Sequence, residues 1–154
     1  MIVAVFGDLH GHFALAYRLL RRWEIENDRR ADAILQVGDL NAFPDPARAD
    51  RLTLKFAAKD TAQLSFPVWQ SGGAEAAAYL APDAPAETRV TAPMLFVKGN
   101  HEDFDYLAAL AKESDTGAVP VDPWRRICYL PSGRLAEIGA GGCRLRVAAL
   151  GGVA

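Results

Sequence analysis

The chain has 154 residues, of which 51% are hydrophobic and 23% charged, and its formal net charge is −2. This length predicts a single domain over residues 1–154 with a buried core, and the small net charge excludes the overall basic character of many nucleic-acid-binding domains. No apolar run approaches transmembrane length. The two cysteines, Cys128 and Cys143, lack the spacing of a zinc or redox motif. In the absence of a secretion signal, we expect a cytoplasmic protein with reduced thiols.

Three apolar segments predict parallel strands. Residues 2–6 are a short continuous apolar run, and residues 33–37 are apolar except for Gln36; we interpret both as buried strands, the first buried on both faces. Residues 13–23, between them, have apolar side chains at helical spacing and arginines on the polar side. Strand, helix and strand at this distance predict a right-handed βαβ unit with parallel strands. Residues 94–97 predict a third strand.

The segment from Asn41 to Pro93 has a weaker pattern and is interrupted by proline and glycine. We predict helices over residues 49–64 and 74–80, and we expect this segment to lie over the mouth of any site at the strand ends. The remaining pattern predicts a helix over 103–112, strands over 127–130, 134–138 and 144–150, and a hairpin turn over 139–142.

Each of the first three predicted strands is followed by a short polar motif. Residues 7–11 read GDLHG, residues 38–40 read GDL and residues 99–102 read GNHE. Because parallel strands end at the same edge of a sheet, we expect these motifs to lie close together. Carboxylates mixed with imidazole suit divalent Mn, Fe or Zn, and a pair of such ions is a common device for cleaving phosphate esters.

Asp8 and His10 are two residues apart, a spacing that directs both side chains to the same side of an extended strand end. We interpret them as ligands that clamp one cation; the alternative is a helix-capping aspartate beside an incidental histidine. Asp39 would then bridge two metals with one carboxylate oxygen on each. Taken alone, Asp39 reads more readily as a capping or turn residue.

In the third motif, we interpret the amide oxygen of Asn100 as a ligand for the second metal. His101 leaves the strand end in the opposite direction, which suits a general acid that protonates the leaving oxygen. Glu102 is interpreted as the partner that hydrogen-bonds the His101 imidazole. The alternative for this motif is a helix N-terminus with a polar cap. His12 either meets the substrate phosphate or is a surface residue on the first helical turn.

The three motifs resemble the first three signature blocks of the calcineurin-like metallophosphoesterases. The resemblance implies an α/β (α+β) fold, a β-sandwich flanked by helices with a dinuclear metal site at the strand ends. It implies hydrolysis of phosphomonoesters or phosphodiesters by direct attack of a metal-activated hydroxide, with two divalent ions (Mn, Fe or Zn) as cofactors. Of the two substrate classes, we expect a phosphodiester. It also implies that Asp8 and His10 bind the first metal, Asp39 bridges, Asn100 binds the second metal and His101 is the acid.

A narrower resemblance is found in residues 127–130 and 142–153, which are similar to the region after the third block in RNA lariat debranching enzymes and their bacterial relatives. Those enzymes carry cysteine where this chain has Asp8, so debranching activity is not implied. The substrate is expected to be a phosphate ester such as a nucleotide or nucleic acid. Similarity to the serine/threonine protein phosphatases is weaker, because residues 40–43 depart from their middle block.

The family pattern requires further histidines, whereas this chain contains only His10, His12 and His101. The sequence also ends on an apolar strand, an edge that natural domains seldom leave bare. We therefore expect an N-terminal part of a longer enzyme. Two alternatives remain: a degenerate relative that binds one metal or a nucleotide phosphate without turnover, and a site that a partner chain completes.

Overall fold

A computed structural model describes residues 1–113 and 117–152. The strands are β1 (Val3–Phe6), β2 (Ala33–Gln36), β3 (Met94–Phe96), β4 (Val119–Pro120), β5 (Ile127–Tyr129), β6 (Leu135–Ala140) and β7 (Cys143–Ala148). The helices are α1 (Phe13–Asn27), α2 (Arg51–Ala57), α3 (Phe66–Ser71), α4 (Ala74–Leu80) and α5 (Phe104–Glu113), with 3₁₀ turns at Pro46–Arg48 and Thr61–Leu64. Val153, which closes the 142–153 run discussed above, lies outside the described residues.

Five strands form one sheet in the order β1-β2-β3-β5-β4. The first four are parallel, and β4 pairs antiparallel with β5. The last residues of β1, β2 and β3 are in register, since Phe6 is opposite Gln36 and Gln36 is opposite Phe96. The predicted mixed α/β class with parallel strands is confirmed, and the loops that follow these three strands leave the sheet at one edge.

One face of the sheet is covered by helices. The core on this face joins residues of α1, α3, α4 and α5 to alternate residues of the strands, among them Ile34 and Met94. Trp69 of α3 is fully buried. Its ring stacks on Phe13 at a centroid distance of 5.0 Å and on Tyr17 at 5.2 Å. Burial of these large aromatic surfaces fixes α1 and α3 against the sheet.

The opposite face is covered by the hairpin of β6 and β7. Ala33 and Leu95 of the sheet form a second small core with Ile138 of the hairpin. The turn is formed by Gly141 and Gly142, whose φ angles of 54° and 78° suit the two-residue hairpin turns that favour glycine. The hairpin predicted around these glycines is confirmed.

The prediction that the first strand is buried on both faces is wrong. Val5 is 62% exposed, whereas Ala33 on β2 is fully buried beneath the hairpin. A continuous apolar run in the sequence therefore does not show whether both faces of the resulting strand are covered. Val37, which we placed in the second strand, follows its end and is 58% exposed.

Helix α1 continues four residues beyond the predicted end at Trp23. Trp23 is 39% exposed, and Glu24 takes the buried position in its place. Glu24 is four residues after Leu20 and so lies on the same helix face. Its carboxylate accepts hydrogen bonds from Arg30 and from the backbone amide of Ala31, which compensates for burying its charge.

The helix predicted over residues 49–64 is two separate elements, α2 and the 3₁₀ turn at Thr61–Leu64. Helix α3 was not predicted, because Pro67 was interpreted only as an interruption. Proline is accepted in the first turn of a helix, where its missing N–H would have no partner. Among the described helices, none is long and apolar enough to cross a membrane.

Candidate functional site

The loops after β1 and β2 bring three potential metal ligands together. Asp8, His10 and Asp39 each offer one ligand atom, and these atoms all lie within 4.8 Å of one another. Three backbone hydrogen bonds tie the loops together: the Asp8 amide donates to Gly38 O at 3.1 Å, the His10 amide to Asp39 O at 2.9 Å and the Gly11 amide to Leu40 O at 3.0 Å. The parallel strands thus place the first two motifs side by side.

The backbone at these three residues is in the left-handed region. The φ angles are 50° at Asp8, 44° at His10 and 58° at Asp39. Asp8 and His10 are therefore not on an extended strand end, and our reason for expecting their side chains on one side was wrong. A tight left-handed loop brings them together instead. Such conformations are unfavourable for residues other than glycine and tend to occur at functional sites.

Asp39 also connects the second motif to the third. Its Oδ1 accepts hydrogen bonds from the backbone amides of Asn100 at 2.7 Å and His101 at 3.0 Å. A Cβ atom on Gly99 would overlap the Asp39 carboxylate, which explains glycine at that position. Because Oδ1 already accepts two hydrogen bonds, Oδ2 is the oxygen left for metal. The role of Asp39 as a bridge between two ions stays a prediction.

His101 is held by a carboxylate that the sequence did not indicate. Its Nδ1 lies 2.9 Å from Oδ2 of Asp50, and its ring centroid is 5.2 Å from that of His10. Asp50 caps α2 by accepting from the backbone amides of Leu52 and Thr53. Burial raises the pKa of the Asp50 carboxyl, but hydrogen bonds from Thr53 and His101 outweigh it and lower the pKa to about 2. Asp50 is therefore ionised near neutral pH.

The predicted hydrogen bond from Glu102 to the His101 imidazole is wrong. Glu102 is buried, and its carboxylate accepts from the backbone amides of Leu40 at 2.9 Å and Ala42 at 2.6 Å. These contacts direct it toward the loop that follows Asp39. We interpret Glu102 as a support for this loop, and Asp50 takes the place that we had assigned to it beside His101.

The buried carboxyl of Glu102 predicts a pH dependence of stability. Burial raises the pKa of Glu102 to about 7 from its ordinary value of 4.5, although the amides of Ala42 and Leu40 act in the opposite direction. The folded state therefore binds this proton more tightly than the unfolded state. The resulting stabilisation is complete below about pH 4.5 and is lost as the pH rises through about 7, a change of about 3 kcal/mol.

We expect this loss in urea unfolding of the metal-free protein between about pH 4.5 and pH 7. Glu102→Gln is expected to be less stable at low pH, because its amide nitrogen opposes a backbone N–H, but it should lack this pH dependence. Glu87→Gln, a change at an exposed glutamate, is the matched control and should retain it. The same pH dependence in Glu102→Gln as in the wild type would contradict the assignment.

His12 has its own set of partners. Its Nδ1 lies 2.9 Å from Leu9 O, and its Nε2 lies 2.7 Å from Oδ2 of Asp60. Partial burial lowers the pKa of His12, but these hydrogen bonds outweigh it and raise the pKa overall. The contact with substrate phosphate that we allowed for His12 does not fit this geometry, because both ring nitrogens are already engaged. His12 instead links the first motif to the segment around Asp60.

A groove of about 310 Å³ opens beside the two histidines. Its lining residues are His10, Leu52, Thr53, Phe56, Gln63 and His101. The segment between Asn41 and Pro93 supplies four of these, as expected for a segment over the mouth of the site. Leu52 is 45% exposed and Phe56 is 51% exposed, so the wall formed by α2 offers apolar surface to a bound molecule.

The family model for calcineurin-like phosphoesterase matches residues 1–148, nearly the whole chain. The chain belongs to the calcineurin-like phosphoesterase family. No curated protein matches it. The family hydrolyses phosphate esters with the help of metal ions, and Asp8, His10 and Asp39 form a group in this chain that could hold an ion.

The donor set of this calcineurin-like phosphoesterase fits a divalent ion. Two carboxylates and an imidazole converge, which suits Mn, Fe or Zn. The Oδ2 atom of Asp39 is the oxygen that its backbone hydrogen bonds leave for metal. The side chain of Asn100 is exposed at the same edge, and its backbone amide binds Asp39. The residues present are therefore compatible with metal at this edge of the sheet.

Proposed function

We propose that this calcineurin-like phosphoesterase hydrolyses a phosphodiester with two divalent metal ions. Asp8 and His10 would bind the first ion, Asp39 both ions and Asn100 the second. Bound ions of this kind supply positive charge and an activated hydroxide as nucleophile. The observation that carries the proposal is the convergence of Asp8, His10 and Asp39 beside the imidazole of His101.

His101 is the general acid in this proposal. Its ring lies against that of His10 with an interplanar angle of 68°, next to the potential metal ligands. Its Nδ1 is held by ionised Asp50, so Nε2 is the nitrogen free to donate a proton to the leaving oxygen. The Asp50 carboxylate beside Nδ1 fixes the orientation of the imidazole.

The groove beside His101 supports a substrate with an organic group on the phosphate. Its wall includes Leu52 and Phe56, whose apolar surfaces are exposed. The aromatic ring of Phe56 can stack with a nucleobase. Together with the resemblance to bacterial relatives of RNA lariat debranching enzymes, this favours a nucleotide or nucleic acid diester.

The proposal is tested by comparing hydrolysis of bis(p-nitrophenyl) phosphate and p-nitrophenyl phosphate by the Mn²⁺-loaded chain. We expect kcat/KM to be higher for the diester by about tenfold or more, the size of effect that one additional apolar contact can give. A chelated sample is the control and should be inactive. Faster hydrolysis of the monoester would contradict the diester preference while leaving the phosphoesterase assignment in place.

One observation favours a second function. Asp8, His10 and Asp39 are the three clustered carboxylate and imidazole donors among the described residues, and they are sufficient for one ion. The alternative is a relative that binds a single metal or a nucleotide phosphate without turnover. Titration calorimetry with Mn²⁺ separates the two, because the enzyme requires two ions per chain. One ion per chain with no hydrolysis of either ester would support the alternative.

A further inference from the structure

We propose that Asn41 is a positioning residue that holds His10 in the tautomer with hydrogen on Nδ1, so that Nε2 is free to bind metal. The inference rests on the proposed function, in which His10 is a metal ligand. Asn41 follows the second motif, and its side chain belongs to none of the metal or catalytic positions assigned above.

The orientation of the Asn41 amide is set by its partners. Asn41 is fully buried. Its Nδ2 lies 3.0 Å from the backbone oxygen of Gln63 and 3.1 Å from Gln63 Oε1. A backbone carbonyl only accepts hydrogen bonds, so the NH₂ group of Asn41 must face Gln63. The side-chain oxygen of Asn41 must then face His10.

This orientation determines the tautomer of His10. Oδ1 of Asn41 lies 3.1 Å from Nδ1 of His10, and an amide oxygen only accepts hydrogen bonds. Nδ1 must therefore carry the hydrogen, and Nε2 must carry the lone pair when the ring is neutral. Histidines that bind metal ions commonly donate their other ring N–H to such a partner, which sets both tautomer and ring orientation.

The segment from Asp60 to Ser65 holds Asn41 in place. This segment is bound to the loop of the first motif at two further points: Asp60 binds His12, and the Ser65 hydroxyl donates to Gly11 O. Asn41 itself has a left-handed backbone, with φ of 64°, a conformation that asparagine tolerates better than most residues. The tautomer of His10 is thus set by a part of the chain that lies more than 50 residues away in sequence.

The test is to measure the tautomers of the metal-free protein by long-range ¹H–¹⁵N NMR at about pH 8.5, where an ordinary histidine is neutral. The chain has only three histidines, and the variants His12→Gln and His101→Gln assign them. In the wild type we expect His10 in the Nδ1–H form. In Asn41→Leu, which keeps a similar volume but has no acceptor, we expect the Nε2–H form to become populated.

The control is Asn27→Leu, because Asn27 is exposed at the end of α1 and binds only the Trp23 carbonyl. It should leave the His10 signal unchanged. A wild-type protein with His10 in the Nε2–H form would overturn the proposal even if Asn41→Leu failed to fold. A folded Asn41→Leu protein that kept the Nδ1–H form would overturn it as well.

Mn²⁺ titration gives a second readout. We expect Asn41→Leu to bind the ion about 10- to 100-fold more weakly than the wild type, the usual effect of removing a partner of a metal-binding histidine. Equal affinities in the two proteins would overturn the positioning role. If His10 of the wild type is in the Nδ1–H form but the protein binds no Mn²⁺, the proposed metal-dependent function is wrong. The conclusion that Asn41 fixes the tautomer of His10 then still holds.

Discussion

Replacing Asp39 with alanine is expected to abolish divalent metal binding at both positions. Asp39 is the only proposed ligand shared by the two ions, and its ligand atom lies within 4.8 Å of those of Asp8 and His10. Loss of a direct ligand should exceed the 10- to 100-fold effect known for outer partners, so we expect a loss of affinity of about 100-fold or more. Titration calorimetry with Mn²⁺ measures it.

The matched control is Asp45→Ala, because Asp45 is exposed and only caps a 3₁₀ turn. Its metal affinity should equal that of the wild type. Since Asp39 also accepts hydrogen bonds from Asn100 and His101, urea unfolding must show that Asp39→Ala is folded. A folded Asp39→Ala protein that still binds two ions would refute the shared-ligand role.

The change His101→Gln is expected to lower turnover by a factor of about 10² to 10⁴ and to leave metal affinity within a fewfold of the wild type. This is the usual contribution of a general acid. The structure supports the separation of the two effects, because His101 Nδ1 is bound to Asp50 and His101 is not in the clustered donor group. Steady-state hydrolysis of bis(p-nitrophenyl) phosphate and Mn²⁺ titration are measured on the same samples.

The variant Asp50→Asn tests the contact that holds the His101 imidazole. It retains a side chain that can cap α2 but removes the negative charge that holds Nδ1, so we expect a smaller loss of turnover than with His101→Gln. If His101→Gln lost metal while Asp39→Ala kept it, the roles assigned to these two residues would have to be exchanged.

Much of this site could be predicted from the sequence, because each motif directly follows an apolar run. Parallel strands end at one edge, so Asp8, His10 and Asp39 were expected together, and their ligand atoms do converge. The reason that we gave for Asp8 and His10 was nevertheless incorrect. Dihedral angles in a tight loop are not evident from an Asp-x-His spacing, and the left-handed conformation was missed.

The partners of the third motif could not be predicted. Asp50 contacts His101 across 51 positions of sequence, and Glu102 contacts the Ala42 amide across 60. No periodic pattern connects residues at such separations. A Glu beside a His suggested a local pair, but burial of Glu102 beneath the Asp39 loop satisfies two backbone amides that would otherwise lack partners. The helix-capping position of Asp50 was the one local signal that could have drawn attention to it.

The left-handed backbone at Asp8, His10 and Asp39 means that the side chains needed for the site carry a cost in folding stability. A left-handed conformation costs about 1 kcal/mol relative to glycine. At Asp39 and His10 the side-chain hydrogen bonds offset this cost, whereas Asp8 is exposed. A screen that selects only for thermal stability should therefore enrich Asp8→Gly, which removes one of the three clustered donors. Selection for heat resistance and selection for hydrolysis would move position 8 in opposite directions.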